Sequence, residues 1–485
     1  MAKRVAVIDI GSNSIRMVIY EKTSRFAFRL LYEEKSKVRI SEDAYLNNYN
    51  LQKLPMKRAY DALDNFLNII SAHKVKKTLC VATSALRDAP NKKDFIHKVR
   101  DKLKLNIKVI DGVKEAYFSA IACANLLPLQ TDAMSIDIGG GSTEFALIDS
   151  NNVTKTISLK LGTVRLKELY FDTNSIDDAI SYIDSKLDSF FENINPTTVI
   201  GIGGTFRAIS SAMIKNSNYP YKKLHAYESD EKNFNNFISD ILSADNVKLK
   251  KLGIKKDRFD VIKPGALILQ RVLKKLEIKK LITSGVGVRE GVYLADLLRG
   301  SKDKFPANYN TSVRSLIDLH ITDDNFSNQL NLLTKKIFDL THETLNLDMN
   351  YRYELSTAAK LYIVGNNIHF YSKNKHSYYL IQSALEYGFT HQQTILIATL
   401  VRFVNSPSDS HLENYSELLP TKEVVNKLSY ILSLANALLS HRPRNIDFEL
   451  SLNNSELKIK SNKNLYLTKE AINKLSNIKD LKVTF

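Results

Sequence analysis

The sequence predicts an α/β protein: two related halves of mixed strands and helices, then an all-α part with a short strand-bearing tail. Three observations predict it. The phrase VAVIDIGSNSIRMVIY at residues 5–20 returns as AMSIDIGGGSTEFALID at residues 133–149. Each copy has an apolar run, Ile-Asp-Ile-Gly, a small polar turn and a second apolar run. Up to about residue 300, strands lead repeatedly into helices through Gly- or Ser-bearing turns, and beyond it the strand signal nearly vanishes.

Taken in order, residues 5–10 and 15–20 read as β-branched strands around a Gly-Ser-Asn-Ser turn. Pro55 is placed to start a helix over 55–73, and KTLCVATSALRDA runs from strand through turn into helix. DFIHKVRDKL is amphipathic, NIKVIDG is strand-like, and KEAYFSAIACANLL is a helix with a broad apolar face. The second phrase restarts the pattern, with strands expected at 134–138, 144–149 and 153–160 and helices at 163–170 and 176–193. TTVIGIGGT is a buried strand entering a Gly-rich turn, and KKLITSGVGVREGVYLADLL is strand, turn and helix again. Residues 310–441 read as helical, and only the tail after Asn445 alternates as strands do. Boundaries near 125 and 300–308 divide the chain into 1–125, 126–305 and 306–485.

At 485 residues, with 44% hydrophobic and 25% charged residues, the chain is too long for one core and has an ordinary globular composition. Asp9 breaks the N-terminal apolar run early, and no apolar stretch approaches the ~18 residues a membrane span needs, so a cytoplasmic protein without a membrane partner is expected. Cys80 and Cys123 lie in apolar surroundings and read as buried free thiols, and no CxxC pair is present to hold zinc. The net charge is +17, and residues 301–485 carry 21 Lys+Arg against 18 Asp+Glu, which leaves +14 on residues 1–300. Such a field suits a polyanion, whether nucleic acid, acidic lipid or polyphosphate. A composition rich in Lys, Asn and Ile accounts for it equally well.

The duplicated turns carry the chemistry. A turn of Gly, Ser and Asn or Thr between strands points backbone N–H groups and hydroxyls into one concavity, an anion nest. In one copy these are Gly11, Ser12, Asn13 and Ser14; in the other they are Gly139, Gly140, Gly141, Ser142 and Thr143. No GxxxxGK[ST] loop occurs. Asp9 and Asp137 end the strands beside the nests, and an acid next to a phosphate site calls for a cation between them, most simply Mg2+. One such turn is an ordinary hairpin, whereas two copies are hard to assign to coincidence. ATSALRDA puts Thr83 and Ser84 at a helix start with Arg87 one turn inside, which reads either as a phosphate contact or as an N-cap with a surface arginine. GIGGT supplies Gly203, Gly204 and Thr205, a loop a ligand can approach closely. Glu115 opens a helix, where an acid is favoured by the macrodipole whatever its function.

Together, AVIDIGSNSIRMVI, ATSALRDA, IDGVKEA, SIDIGGGSTEF, LGTVRLKELY, GIGGTFRA and GVREGVYLADLL resemble the exopolyphosphatase/guanosine pentaphosphate phosphohydrolase (Ppx/GppA) family, in that family's order over residues 4–297. The resemblance implies two ribonuclease-H-like domains of the acetate and sugar kinase/heat-shock chaperone/actin superfamily, closing on a phosphate cleft. It implies that the two turns grip phosphate from opposite domains and that Glu115 is the base on the attacking water. It also implies that Asp137, with Asp9 and Glu115, holds the metal, and that Arg87 and Arg39 face phosphate. The stretch from Glu354 to Phe403 resembles the family's helical third domain, related to HD-type phosphohydrolases. Here Tyr362, Ile363 and Val404 occupy the expected ligand positions, so this domain is expected to bind no metal and to guide substrate or form a homodimer. His376 and Arg402 read as structural residues in preference to phosphate contacts.

The expected activity is Mg2+-dependent removal of the terminal phosphate of inorganic polyphosphate. The alternative is release of the 5′ γ-phosphate of guanosine pentaphosphate at the same site, with no specific nucleic-acid partner in either case. A sugar or acetate kinase relative and a non-catalytic alarmone or nucleic-acid binder are weaker readings. The first lacks a sugar pocket, and the second leaves Asp9, Glu115 and Asp137 without a use.

Overall fold

The computed structural model describes residues 3–128, 130–188, 194–405, 407–476 and 478–485. They form two compact units, Met1–Tyr309 and Asn310–Phe485.

The first unit is built on the repeated phrase. β1 (Arg4–Ile10) and β2 (Ile15–Lys22) make the first hairpin, followed by β3 (Phe28–Ser36), α1 (Lys53–Ala72), β4 (Lys77–Ala82), α2 (Ser84–Asp88), α3 (Lys92–Leu103), β5 (Ile107–Val109) and α4 (Gly112–Leu126). The second half runs β6 (Ala133–Ile138), β7 (Thr143–Asp149), β8 (Asn152–Leu159), α5 (Thr163–Leu166), α6 (Ile176–Leu187), β9 (Thr198–Ile202), α7 (Gly203–Asn216), β10 (Tyr227–Asp230), α8 (Glu231–Ser243), α9 (Asn246–Lys251), α10 (Phe259–Leu273), β11 (Lys280–Thr283) and α11 (Val288–Leu297). The first sheet is ordered β3-β2-β1-β4-β5 and the second β10-β11-β9-β6-β7-β8. Read from β8 inward, the second repeats the first and adds β10 at its far edge. In both, the hairpin strands pair antiparallel and the central strand pairs parallel with the next one in.

The register repeats too. Ile10 pairs with Ile15 and Ile138 with Thr143, so each hairpin closes over four residues, with Gly11 N–H bonding Ser14 O at 3.2 Å and Gly139 N–H bonding Ser142 O at 3.0 Å. β1 is buried along most of its length, its Ala6, Ile8 and Ile10 packing with Leu63 and Phe66 of α1. In the second half Met134, Ile136 and Ile138 meet Phe206 and Ile209 of α7.

The halves do not part cleanly at residue 125. α4 packs on β7 and β8 of the second sheet, and α11 returns to pack on β1 of the first. The two helices also cross closely: a Cβ at Gly291 would collide with the Phe118 carbonyl oxygen. The helix foreseen at 163–170 breaks into α5 and a wider turn at Lys167–Phe171, and residues 189–193 of the helix foreseen at 176–193 lie outside the described residues. β3 and β10 are not foreseen at all. β3 reads FRLLYEEKS, whose charged positions serve partners across the molecule rather than a simple alternation.

Arg165 fastens the second turn to the first half. It is 1% exposed, donates from Nε to Gly141 O at 2.9 Å and from Nη2 to Asp88 Oδ2 at 3.0 Å, and lies over the Tyr45 ring at 4.6 Å.

The second unit is helical from α12 (Thr311–His320) through α13 (Asn325–Thr341), α14 (Tyr351–Leu361), α15 (Lys373–Ala384), α16 (His391–Phe403), α17 (Asp409–Asn414) and α18 (Lys422–Leu438). β12 (Glu449–Asn453), β13 (Glu456–Lys460), α19 (Tyr466–Asn473) and β14 (Lys482–Thr484) complete it, with sheet order β12-β13-β14. Leu333, Ile337, Leu396, Leu400 and Ile431 meet in one core. No described helix is long and apolar enough to cross a membrane.

Arg165→Ala leaves Asp88 partly buried without its cation, a change that typically costs about 3–5 kcal/mol. Chemical denaturation is expected to show that loss, with part of it recovered in the Arg165→Ala/Asp88→Ala double variant.

Candidate active site

One cleft of the first unit gathers the three glycine-bearing loops. Its walls include Asp9, Gly11, Ser12, Asn13 and Ser14 from the first hairpin, Asp137, Gly139 and Gly140 from the second, and Gly203, Gly204 and Thr205 at the start of α7. The hairpin loops abut, since a Cβ on Gly140 would lie 2.8 Å from the Ser12 Cβ. Gly203 has φ +85°, and a Cβ there would stand 2.8 Å from Asp137 Oδ1, so only glycine lets α7 begin so close to the carboxylate. No side chain caps α7, which leaves the first N–H groups of a 14-residue helix facing the cleft, an arrangement suited to an anion.

Arginines that the sequence reading passed over complete the lining: Arg16, Arg207, Arg258 and Arg289, with Glu290. Arg16 stands on β2 directly opposite Asp9. Arg207 is tied by Nε to Ser284 O at 2.9 Å and by Nη2 to Val286 O at 3.1 Å. Arg289 donates to Glu33 Oε1 at 2.5 Å, while Glu290 accepts from Tyr20 Oη at 2.5 Å and from Gly287 N at 2.8 Å. Burial, then the charges of Arg289 and Arg207, lowers the Arg16 pKa to about 10. Crowded cations of this kind favour an anion among them. Their signal in the sequence was a single charge inside an apolar strand, SIRMVIY, and the charged pair in GVREG.

The carboxylates are half-buried, with Asp9 Oδ1 itself shut off from solvent. Burial raises the Asp9 pKa to about 6 against the pull of Arg289 and Arg16. It also raises that of Asp137, which accepts from Ser119 Oγ at 2.8 Å. Asp9 Oδ1 has no hydrogen-bond partner among the described residues. That oxygen beside Asp137 fits a hard cation sharing its remaining ligands with water and phosphate oxygens. The expected trio does not form, however: among the described residues no three His, Cys, Asp or Glu side chains converge as a metal site.

Glu115, Ser84, Arg87 and Ser142 make a largely buried cluster that meets the cleft wall at Ser12, with Gly141 and Thr143 beside it. Glu115, in the first turn of α4, accepts from Arg87 Nη1 at 2.8 Å, and Arg87 Nη2 reaches Ser142 Oγ at 3.3 Å. Ser84 Oγ and Ser12 Oγ are 3.0 Å apart. Gly141 lies under Tyr45 and Ser84, and the Thr143 hydroxyl is turned inward to Leu161 O, so neither is open to phosphate. Arg39 pairs with Asp260 rather than facing the cleft. Glu144, unforeseen, joins Glu115: its Oε1 accepts from Ser158 Oγ at 2.7 Å, and burial with the Asp137 charge raises its pKa to about 7. Burial and Glu144 raise that of Glu115, against the Arg87 ion pair. Ser119 stands four residues beyond Glu115, on the same face of α4, so one helix face serves both Asp137 and this acid pair.

Fold and site define a class: a duplicated α/β protein whose matched Gly/Ser turns and paired carboxylates meet in one arginine-lined cleft. The Ppx/GppA phosphatase family model matches residues 18–300, and the model of Ppx/GppA phosphatase domain III matches residues 309–479. The chain belongs to the Ppx/GppA phosphatase family. It is 26% identical over 463 residues to a guanosine-5′-triphosphate,3′-diphosphate pyrophosphatase of Photobacterium profundum, covering 94% of this chain and 90% of that one. It is 32% identical over 287 residues to a bifunctional 3-dehydroquinate synthase/phosphatase of Fusobacterium nucleatum, a match spanning 55% of this chain and 43% of that relative. Among solved structures, an exopolyphosphatase from Cytophaga hutchinsonii is 25% identical with TM-score 0.58, covering 62% of this chain and all of that one (100%).

Asp9→Asn should stabilise the protein. A carboxyl whose pKa is raised on folding, here from 3.8 to about 6, burdens the folded state fully above pH 6 and not at all below about 3.8. The gain in unfolding free energy is expected to reach at most about 3 kcal/mol at pH 7, reduced by the lost attraction to Arg16 and Arg289, and to vanish in acid.

Proposed function

We infer that the protein hydrolyses phosphoanhydride bonds, removing the terminal phosphate of inorganic polyphosphate. The observation that carries this reading is the convergence of two hairpin nests, an uncapped helix start and four arginines on one half-buried carboxylate pair. The backbone N–H groups of the turns bind and orient the terminal phosphoryl group, and Arg16, Arg207, Arg258 and Arg289 balance its charge. Phosphoryl transfer passes through a loose transition state, so such positioning and neutralisation carry most of the catalysis. Asp9 and Asp137 would hold Mg2+, which when bound supplies charge neutralisation at the phosphoryl oxygens. Glu115, repelled by the neighbouring Glu144 carboxyl, takes the proton of the attacking water, and its raised pKa suits that task near neutrality. Arg87 holds the Glu115 carboxylate in place.

A polymer is favoured by charge. Lys35 at the end of β3 has its pKa lowered to about 8 by burial and by the charges of Arg258, Arg16 and Lys37, so positive charge extends beyond the cleft wall. Guanosine pentaphosphate remains the second substrate reading, supported by the name and near-full-length match of the Photobacterium relative. We also infer two ribonuclease-H-like halves, since the two sheets share strand order and register, and an HD-like third domain without metal. The apolar burial of Tyr362 and Val404 supports the latter. A cytoplasmic homodimer completes the proposal.

Phosphate release with Mg2+ is expected to favour long-chain polyphosphate over guanosine pentaphosphate by about tenfold or more in kcat/KM, equivalent to ~1.4 kcal/mol. The opposite ranking assigns the enzyme to the nucleotide. Glu115→Gln is expected to keep the fold and lose about 10²-fold or more in kcat, within the range for general-base catalysis, and near-native turnover would refute its role.

The pH profile adds a separate check. A base with a raised pKa must lose its proton to act, so kcat/KM should rise with pH through an ionisation of the Glu115–Glu144 pair. Glu144→Gln removes the repulsion that raises the Glu115 pKa, so this rising limb should move to lower pH.

A further inference from the structure

The repeat reaches beyond the hairpins. In each half the chain leaves the third strand and runs against the hairpin turn, as KVRIS (residues 37–41) after β3 and as LGTVR (residues 161–165) after β8. Both stretches hold the turn by its carbonyl oxygens. Ser12 O accepts from Ser41 N at 3.3 Å and from Ser41 Oγ at 3.2 Å, and Asn13 O accepts from Arg39 N at 3.0 Å. In the second half Gly139 O accepts from Thr163 N at 3.0 Å, and Gly140 O accepts from Val164 N at 2.8 Å and Arg165 N at 3.1 Å. A Cβ at Gly162 would stand 2.4 Å from Gly140 O, so this approach requires glycine.

A planar trans peptide points its C=O and its N–H in opposite directions. Fixing the carbonyls of Ser12, Asn13 and Gly139 therefore fixes the N–H groups of Asn13, Ser14 and Gly140, residues that line the cleft. None of these three N–H groups has an acceptor among the described residues. Turns rich in glycine and serine are otherwise free to flip a peptide and show an anion a carbonyl oxygen instead. The holding segments are themselves held. Ser41 is 1% and Thr163 5% exposed, and Asp43 N donates to Glu168 Oε1 at 3.1 Å, which ties the first segment to the chain just after the second. Arg39 stands at φ +48°, in the left-handed region that favours glycine, an outlier of the kind found beside working sites.

We propose that residues 39–41 and 163–165 are matched positioning elements, which hold the turn carbonyls away from the cleft and so aim the Asn13, Ser14 and Gly140 N–H groups at a phosphate group, and that Ser41 is the side chain on which the first element depends. The proposal rests on the reading of the cleft as a phosphate site and assigns how that site is set.

Calorimetric titration of the full-length protein with inorganic phosphate, with Mg2+ present, reads the nests without turnover. Ser41→Ala removes one of the two donors on Ser12 O and should raise the Kd for phosphate by about fivefold, the worth of one hydrogen bond. KM for polyphosphate should rise by a like factor, with kcat changed less. Ser377→Ala removes a buried hydroxyl bonded to Tyr362 O in the helical unit, so it controls for lost stability alone and should leave both values unchanged. If Ser41→Ala does not fold by circular dichroism, Ser41→Cys keeps the shape with a weaker donor and should move both values in the same direction. A wild-type Kd in the Ser41 variant, or an equal rise in Ser377→Ala, overturns the proposal while leaving the phosphate site standing. Wild-type protein that binds no phosphate at high millimolar concentration overturns the reading of the cleft, and the proposal with it.

Discussion

The first unit depends on holding two half-buried carboxylates, Asp9 and Asp137, side by side in one cleft at the ends of matching central strands. Burial raises both pKa values, a cost no plain scaffold would retain. Everything around them offsets that cost or uses it. Arg16 and Arg289 attract Asp9, Ser119 donates to Asp137, and Gly203 lets a helix start come within contact of the same carboxylate. The arginines in turn repel one another, which Glu33 and Glu290 relieve only in part. An anion in the cleft and a cation on the carboxylates would settle both imbalances together.

Duplication built this arrangement and asymmetry gave it a direction. The residue paired across the hairpin with the strand-end Asp is Arg16 in the first copy and Glu144 in the second. One backbone register thus delivers a cation to the anion cleft and, in its repeat, an acid to Glu115. The exchange of α4 and α11 between the sheets fixes the two products close together, because α4 carries Glu115 and Ser119 while α11 carries Arg289 and Glu290. Arg165 adds a direct link between the second turn and Asp88.

Much of this was legible in the sequence because repetition is visible without coordinates. The two hairpins, their four-residue turns and the uncapped GIGGT helix start follow from local patterns of Gly, Ser and β-branched residues. What stayed hidden depends on long-range pairing. Thr143 belongs to the turn by composition but to the strand by register, so its hydroxyl goes inward. Glu115 and Arg87 read as separate contacts until their 2.8 Å ion pair joins them in one cluster bordering the cleft at Ser12. Arg207 and Arg289 lie 82 residues apart in ordinary-looking helices, and only the sheet order brings both to Asp137 and Asp9. The helical unit was legible as helices, but the core that joins them, from Leu333 to Ile431, follows from packing that no local pattern shows.

The central claim is that three loops from two like sheets hold one anion beside Asp9 and Asp137. Crystals soaked with selenate and measured at the selenium absorption edge would test it most directly. The account predicts an anomalous peak in the cleft contacted by residues of 11–14, by Gly139 or Gly140, and by the start of α7 at Gly203–Thr205. A peak held by one loop alone, or none in the cleft while others form elsewhere on the protein, would contradict it.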